Sequence, residues 1–540
     1  MSPSTYRSLL AVSLVVITWM FVTQAWMVDD AYITLRTVDN FVNGLGLRWN
    51  PDERVQVYTH PLWMICLSAL YFLTREAFVT TLAFSFVLLL ALIALVAARF
   101  AREDRWKLFV FLGLLVVSKA FFDFTSSGLE NPLTSLLLVA FHVVWLAPTP
   151  EALEGRTRRH LGLLTLAALV FVNRIDTLLL CLPAVAWETV SLARALRGRI
   201  VRPLLLGTLP ATGWIAFSVI YYGMPLPNTA YAKALVDGVG ARASWQMGAA
   251  YFLNSLEWDP ATLAIMALAT IRAFACRSRA AILSVGGMLL YLLYVARVGA
   301  SGTHMSGRFF SAAFVLAALV LVTLLRDWRE AAPVCAIAAA FVLLSPGAPL
   351  RSQGSSNPQG TEGHGRSGII DTRFFVHREG AALLSWERGR AWPNHAWYDE
   401  GRRFSHGEER VHVGGSGGGL PIGFFGFGAG PSKFVIDELG LADPLLARLP
   451  MKKGWQWTGG HFLRDIPDGY EESVRTGGNE LRDPDLRAFY EKIRLITRGP
   501  IFSADRWKAI VELQTGALDP LLLAYEARQS RQLIGKQGQP

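Results

Sequence analysis

Two adjacent carboxylates, Asp29 and Asp30, follow directly on an uncharged apolar run from Ser8 to Met27. An ionised Asp costs roughly 2.5–3.5 kcal/mol at the centre of a membrane helix and less at the interface. The pair is therefore tolerable at that depth, but membrane insertion does not ask for it. A carboxylate at the membrane surface can take a proton from a hydroxyl. The bland alternative is a polar stop to the helix. Arg308 stands before an apolar run, at an expected helix N-terminus, where the dipole disfavours a cation and an anion is the natural partner. Guanidinium binds phosphate in a bidentate fork. Lys233 follows Pro225-Leu-Pro-Asn-Thr on a long polar stretch.

These residues need a membrane to position them. The chain has 540 residues, 52% hydrophobic and 17% charged. The apolar runs stop near Leu350, and from Arg351 to Pro540 the chain is mixed. The pattern predicts a transmembrane domain over 1–350, with 27–78 as its first external loop, and a soluble domain over 351–540. The net charge of +10 needs no nucleic-acid partner, because much of it sits in short loops between apolar runs.

Basic clusters at Arg99–Lys107, Arg156–His160, Arg194–Arg202, Arg272–Arg279 and Arg326–Arg329 set the orientation. If all are cytoplasmic, the spans fall roughly at 8–27, 79–98, 107–123, 129–147, 161–173, 175–193, 203–222, 260–275, 281–297, 309–325 and 331–347. The stretch Pro61–Leu73 is short of the roughly 20 residues a span needs, and reads as an interfacial or re-entrant helix. About eleven spans result, with the N-terminus cytoplasmic and the C-terminal domain outside. Ser8–Met27 lacks a small-residue cleavage site and reads as a retained anchor. Cys66, Cys181, Cys276 and Cys335 lie in or beside apolar segments, so the external domain is expected to have no disulfide.

With this topology the outer side collects Asp29, Asp30, Arg36, His60, Asp123, Glu130, Arg174, Asp176, Asn228, Lys233, His304 and Arg308. Arg174 and Asp176 fall between two runs and suit a structural ion pair or a substrate contact. Glu130 opens a run, where the helix dipole gives it an ordinary explanation. A substrate with a lipid tail in the bilayer and a phosphate at the interface would fill the arrangement. Lys233 and Arg308 would stabilise a leaving phosphate, and Asp29 or Asp30 would act as base.

Three N-terminal motifs carry a resemblance: Asp29-Asp-Ala-Tyr-Ile-Thr-Leu-Arg, Asn43-Gly-Leu-Gly-Leu-Arg-Trp-Asn-Pro and Tyr58-Thr-His-Pro-Leu-Trp. In this the chain resembles the GT-C superfamily of integral membrane glycosyltransferases, which use polyprenyl-phosphate sugars. Within it, the chain is similar to bacterial arabinofuranosyltransferases, the mycobacterial terminal β-1,2 enzymes and the pilin arabinosyltransferases of pseudomonads. Further matches are Ser127-Gly-Leu-Glu, Pro227-Asn-Thr-Ala-Tyr-Ala-Lys, Gly307-Arg-Phe-Phe, Gly368-Ile-Ile-Asp-Thr-Arg, Ala429-Gly-Pro and the run from Ile436 to Pro450. The resemblance implies a GT-C fold with a periplasmic C-terminal domain in the bacterial inner membrane. It implies inverting transfer of arabinofuranose from a polyprenyl-phosphate donor to a glycan or pilin-like protein. Asp29 and Asp30 map onto the family's acidic motif. Arg36, His60, Lys233 and Arg308 become candidates for the donor phosphate, and Glu130, Arg174, Asp176, Asn228 and His304 for substrate. Some members bind a divalent cation at the acidic motif and others do not, so a metal stays open. Where relatives often carry Gly-Gly-Asp-Phe-Met, this chain has Ser301-Gly-Thr-His-Met, and Thr303 replaces an acid.

The C-terminal domain reads as a small α/β domain. Val411-His-Val-Gly-Gly-Ser-Gly-Gly-Gly-Leu-Pro suits a strand, a turn and a helix, not a dinucleotide fingerprint. Val435-Ile-Asp-Glu and Gly368-Ile-Ile-Asp suggest further strands. Trp386, Trp392, Trp397, Trp455 and Trp457 are candidates for stacking on sugar rings or for packing. Ser352–Gly368 has a linker composition. Three alternatives stand beside the main reading. One is a GT-C transferase of another lipid-linked sugar, of mannose or aminoarabinose type. A polyprenyl-lipid transporter would place its charges near the bilayer midplane. A non-catalytic assembly protein would not need the Asp pair.

Overall fold

The computed structural model describes residues 2–100, 104–196, 200–234, 240–298, 305–345, 347–352, 369–385, 387–388, 391–414, 421–455 and 460–537. By contacts the chain divides into two units, each drawn from three stretches. The first holds 1–31, 60–212 and 241–395, the second 32–59, 213–240 and 396–540. The division therefore does not fall at one point near residue 350.

The helices run in order α1 (Pro3–Gln24), α2 (Asp29–Val42), α3 (Pro61–Thr74), α4 (Phe78–Arg99), α5 (Arg105–Leu115), α6 (Lys119–Thr125), α7 (Asn131–Trp145), α8 (Leu153–Asn173), α9 (Leu182–Leu196), α10 (Val201–Tyr222), α11 (Asn228–Ala234), α12 (Ala241–Trp258), α13 (Pro260–Ala275), α14 (Arg279–Val298), α15 (Phe310–Leu324) and α16 (Trp328–Leu344). Four of the described helices are long and apolar enough to cross a membrane: α1, α4, α10 and α14. The bent pair α5 and α6 makes a fifth if it is one broken span, and α3, α7, α13 and α15 are shorter apolar helices. The protein is a mostly helical, multi-pass membrane protein.

Three expected spans are redrawn, the one over 175–193 into a 3-10 turn (Ile175–Leu180) and α9. The first ends at Gln24, because Ala25 turns extended, so the aspartates are not its outer end. They form instead the first turn of α2. The expected continuous span over 107–123 is broken by 84° between α5 and α6. The break has local causes. Ser118 is extended and its hydroxyl caps Phe121 N at 3.1 Å. Asp259, just ahead of α13, accepts from Ala120 N at 2.9 Å and from Thr262 Oγ1 at 2.6 Å. A new helix N-terminus is thus satisfied inside the protein, where lipid could not satisfy it.

In the first unit α15 is the central helix. Every residue from Phe310 to Val322 is buried, and α5, α6, α7, α13 and α14 pack around it. A helix apolar on all sides belongs in such a position. The short helix α3 packs against α4 and α8.

The second unit contains a two-stranded parallel sheet, β1 (Val411–Gly414) and β2 (Phe434–Asp437), in register Val411 to Phe434. The helix Ile422–Ala429 lies between them in sequence, as a parallel connection requires. Val411, Phe434 and Ile436 join Leu445, Leu446, Tyr470, Leu486, Phe489 and Ile493 in one core. The amphipathic helix Pro484–Arg498 starts at Asp483, whose side chain caps Asp485 N and Leu486 N. Of the strand expected at 368–371, the described residues 369–371 show an isolated bridge, Asp371 with Met305, in the first unit. Trp392 stacks on Phe78 with ring centroids 4.1 Å apart, and Trp397 lies 6.4 Å from Phe424 between centroids. The Gly-rich run 415–420, Trp386, Trp457 and residues 353–368 lie outside the described residues.

Candidate active site

Asp29 and Asp30 owe their place to the four residues before them. Ala25 to Val28 run extended between two other segments. On one side Trp26 N donates to Ser126 O at 3.4 Å and Val28 N to Ser127 O at 3.0 Å. On the other, Met27 N donates to Ala381 O at 3.0 Å and Leu383 N to Ala25 O at 2.9 Å. Helix α2 then opens with both carboxylates in its first turn, where the dipole favours negative charge. Asp29 is buried and Asp30 half-buried.

Glu130 is the centre of a second group in the same unit. It stands at the N-cap of α7 but caps no amide with its side chain. Its carboxylate instead accepts from Arg174 Nη1 at 2.6 Å, from Arg308 Nη2 at 3.1 Å on each oxygen, and from His60 Nδ1 at 3.2 Å. Arg174 in turn holds Asp176 through Nε at 2.7 Å and Nη2 at 3.1 Å, and its guanidinium lies 5.1 Å from the Phe309 ring centroid. The dipole explanation of Glu130 is thus replaced by two arginines and a histidine. The Arg174–Asp176 pair forms as an ion pair.

The electrostatics of this group follow from burial. Burial alone would raise the Glu130 pKa, but Arg308 and Arg174 outweigh it and hold the carboxyl below the usual range. Burial lowers His60 to about 4, with Glu130 and Asp30 opposing and Arg308 and Arg174 assisting. His60 is therefore neutral at pH 7 and donates Nδ1–H to Glu130. Asp30 is near enough to His60 to oppose that lowering. Arg308 also points Nη1 at Met305 Sδ, 3.2 Å away, while its buried Nε has no hydrogen-bond partner among the described residues. Two guanidinium groups near two carboxylates can hold an anion and, beside it, accept a proton.

A third polar group surrounds Asp123. Lys119 pairs with Asp123 and, at 2.9 Å, with Asp371, while Arg373 Nη1 donates to Asp123 Oδ1 at 2.8 Å. The sequence placed Asp371 and Arg373 in the external domain, and only Asp123 among the interfacial residues. The signal was present in Gly368-Ile-Ile-Asp-Thr-Arg, but nothing local tells which domain such a motif joins. Tyr251 was also missed. Its buried hydroxyl donates to Met305 O at 2.9 Å and accepts from Phe309 N at 3.2 Å, on either side of Arg308.

Three expected site residues belong to the second unit. Arg36 donates to Lys433 O at 2.6 Å and Gly430 O at 3.2 Å and lies 4.3 Å from the Trp49 ring centroid. Asn228 donates to Gly440 O, Leu441 O and Asp443 O. Both are clamps on backbone carbonyls. Lys233 sits on α11 and is half-buried. His304 lies outside the described residues. Among the described residues no three His, Cys, Asp or Glu side chains are grouped to hold a metal ion.

No family model matches the chain. Its sequence is similar to two proteins named terminal beta-(1->2)-arabinofuranosyltransferase. That of Corynebacterium glutamicum is 28% identical over 243 residues, 41% of this chain and 35% of the relative. That of Mycobacterium tuberculosis is 27% identical over 275 residues, 46% of this chain and 41% of the relative. The chain resembles the terminal arabinofuranosyltransferases. The likeness spans well under half the length of each. Among solved structures, ArnT from Cupriavidus metallidurans in the apo state aligns with a TM-score of 0.48 and 14% identity, over 80% of this chain and 86% of ArnT. The undecaprenyl phosphate-bound form aligns at 0.43 and 14%, over 83% and 77%.

Proposed function

We propose that the chain is a GT-C-type membrane glycosyltransferase that moves arabinofuranose from a polyprenyl phosphate to a glycan or protein hydroxyl at the outer face of the cytoplasmic membrane. The observation that carries this reading is the Asp29–Asp30 turn, opening α2 five residues after the end of a candidate span, in the same unit as the Glu130, Arg174 and Arg308 group. Sequence similarity to arabinofuranosyltransferases supports the choice of sugar.

In the proposed step the acceptor oxygen attacks the anomeric carbon from the face opposite the phosphate. The carbon–oxygen bond to phosphate breaks and its electron pair leaves with the polyprenyl phosphate. The acceptor proton passes to Asp29 or Asp30. The leaving phosphate gains one negative charge. Arg308 and Arg174, fixed in advance by Glu130 and Asp176, meet that charge without reorganising. Neutral His60 holds Glu130 through Nδ1–H and adds no competing charge.

The test is a donor panel. Purified protein in lipid nanodiscs is given polyprenyl phosphates carrying arabinofuranose, mannose or aminoarabinose, with released polyprenyl phosphate as readout. Release from the arabinofuranose donor alone is the expected result. Release from another donor keeps the transferase and changes its sugar. Translocation of an intact donor without release from any of the three would replace the transferase by a transporter.

A further inference from the structure

The Asp123 group has no part in the step above, yet it grips the segment that delivers the two aspartates. Arg373 uses its fork on two targets, Nη1 to Asp123 Oδ1 at 2.8 Å and Nη2 to Gln24 O at 2.8 Å. Gln24 is the last residue of α1, and its carbonyl has no amide of its own helix to accept from. Trp26 Nε1 donates to Asp123 O at 2.8 Å. The other Asp123 oxygen is held by Lys119, which Asp371 holds in turn. Arg373 and Asp123 side chains are only 3% and 2% exposed. Two buried ion pairs are a weak source of stability, since desolvation offsets most of the attraction. They do fix geometry. Here they fix the end of α1, while the Asp123 backbone carbonyl holds the side chain of Trp26, all within five residues of Asp29.

We propose that Arg373 and Asp123, with Lys119 and Asp371 behind them, are positioning residues that set where the Asp29–Asp30 turn stands relative to the reacting atoms. The inference rests on the proposed transfer with an aspartate base. A displacement of about 1 Å at a base costs up to 10²-fold in rate, while donor binding elsewhere is untouched. Loss of positioning therefore appears in kcat and not in KM. Lysine at 373 would keep a positive charge for Asp123 but could not span both targets, having no planar fork.

The experiment measures kcat and KM for the polyprenyl-phosphate donor in Arg373→Lys, Asp123→Asn and Trp26→Phe, the last removing the indole N–H together with the five-membered ring of a fully buried side chain. Rates are counted per donor-binding site titrated on the same preparation, so an unfolded fraction drops out. Asp29→Asn and Asp30→Asn run in parallel. The expected result is a kcat about 10- to 100-fold lower in Arg373→Lys, a smaller fall in Trp26→Phe, and donor KM within about twofold of wild type. Wild-type kcat per site in Arg373→Lys and Trp26→Phe, with the aspartate variants dead, overturns the positioning role and leaves the base in place. Full activity in both aspartate variants removes the base assignment and this inference with it.

Discussion

Glu130 shows what a single residue can do against local expectation. Its place before α7 predicts a role at a helix dipole, yet its side chain turns to partners far along the chain, 44 residues away at Arg174 and 178 at Arg308. Arg174 and Asp176 were legible as a pair because they are neighbours. The convergence on Glu130 was not, because spacing along the chain carries no information about such separations. The arrangement makes a definite prediction. Glu130→Gln leaves two buried guanidinium groups facing one neutral amide, and breaking a buried pair from one side costs about 3–5 kcal/mol. The thermal midpoint of the purified variant should fall by several degrees at pH 7. Because the folded carboxyl titrates below the usual range, the stabilisation it brings is present above its unfolded value of about 4.3 and lost as pH falls below that. Wild type and Glu130→Gln should therefore differ most near neutrality and converge in acid. A variant that melts with wild type at pH 7 would contradict this account.

At the scale of elements, hydropathy found where the apolar helices lie but not how they end. Residues 107–117 are continuously apolar apart from Lys107 and Gly113, so the turn at Ser118 had no signal beyond one possible cap residue. Helix α15 was legible as apolar, but only packing reveals that it sits inside the first unit instead of facing lipid. The loop from Ser126 to Glu130 has the same character. Its motif draws attention through its Glu, whereas its glycine serves the fold. Gly128 has φ +80°, and a Cβ there would stand 2.5 Å from Met27 Sδ and 2.9 Å from Ala31 Cβ. Trp63 Nε1 also donates to the Gly128 carbonyl, at 3.1 Å. Only glycine suits that conformation and that approach. Gly128→Ala should push on the segment on both sides of Asp29. The expected outcome is a loss of about 1–3 kcal/mol in stability and a rate about 10-fold lower per folded molecule, read by melting and by transfer with donor-site titration. Wild-type rate and melting in Gly128→Ala would show that the loop does not seat the aspartates.

For the whole molecule, composition divides the chain into an apolar part and a mixed part. What composition could not foresee is that each unit is assembled from three stretches. Asp371 and Arg373 count with the membrane helices through Lys119, Asp123 and the bridge to Met305. Residues 32–59 and 213–240 count with the C-terminal part through bonds such as Asn50 to Val435 and Asn228 to Gly440. Those are contacts between distant residues of ordinary type, and no local pattern marks them. In the proposed transfer a carboxylate at the start of α2 serves as base. The direct measurement is transfer of radiolabelled arabinofuranose from synthetic polyprenyl phosphate by purified wild type, Asp29→Asn and Asp30→Asn, each shown to bind donor. The account predicts that at least one substitution lowers transfer by 10²-fold or more, as removal of a general base does, with donor binding retained. Full transfer by both variants would contradict it.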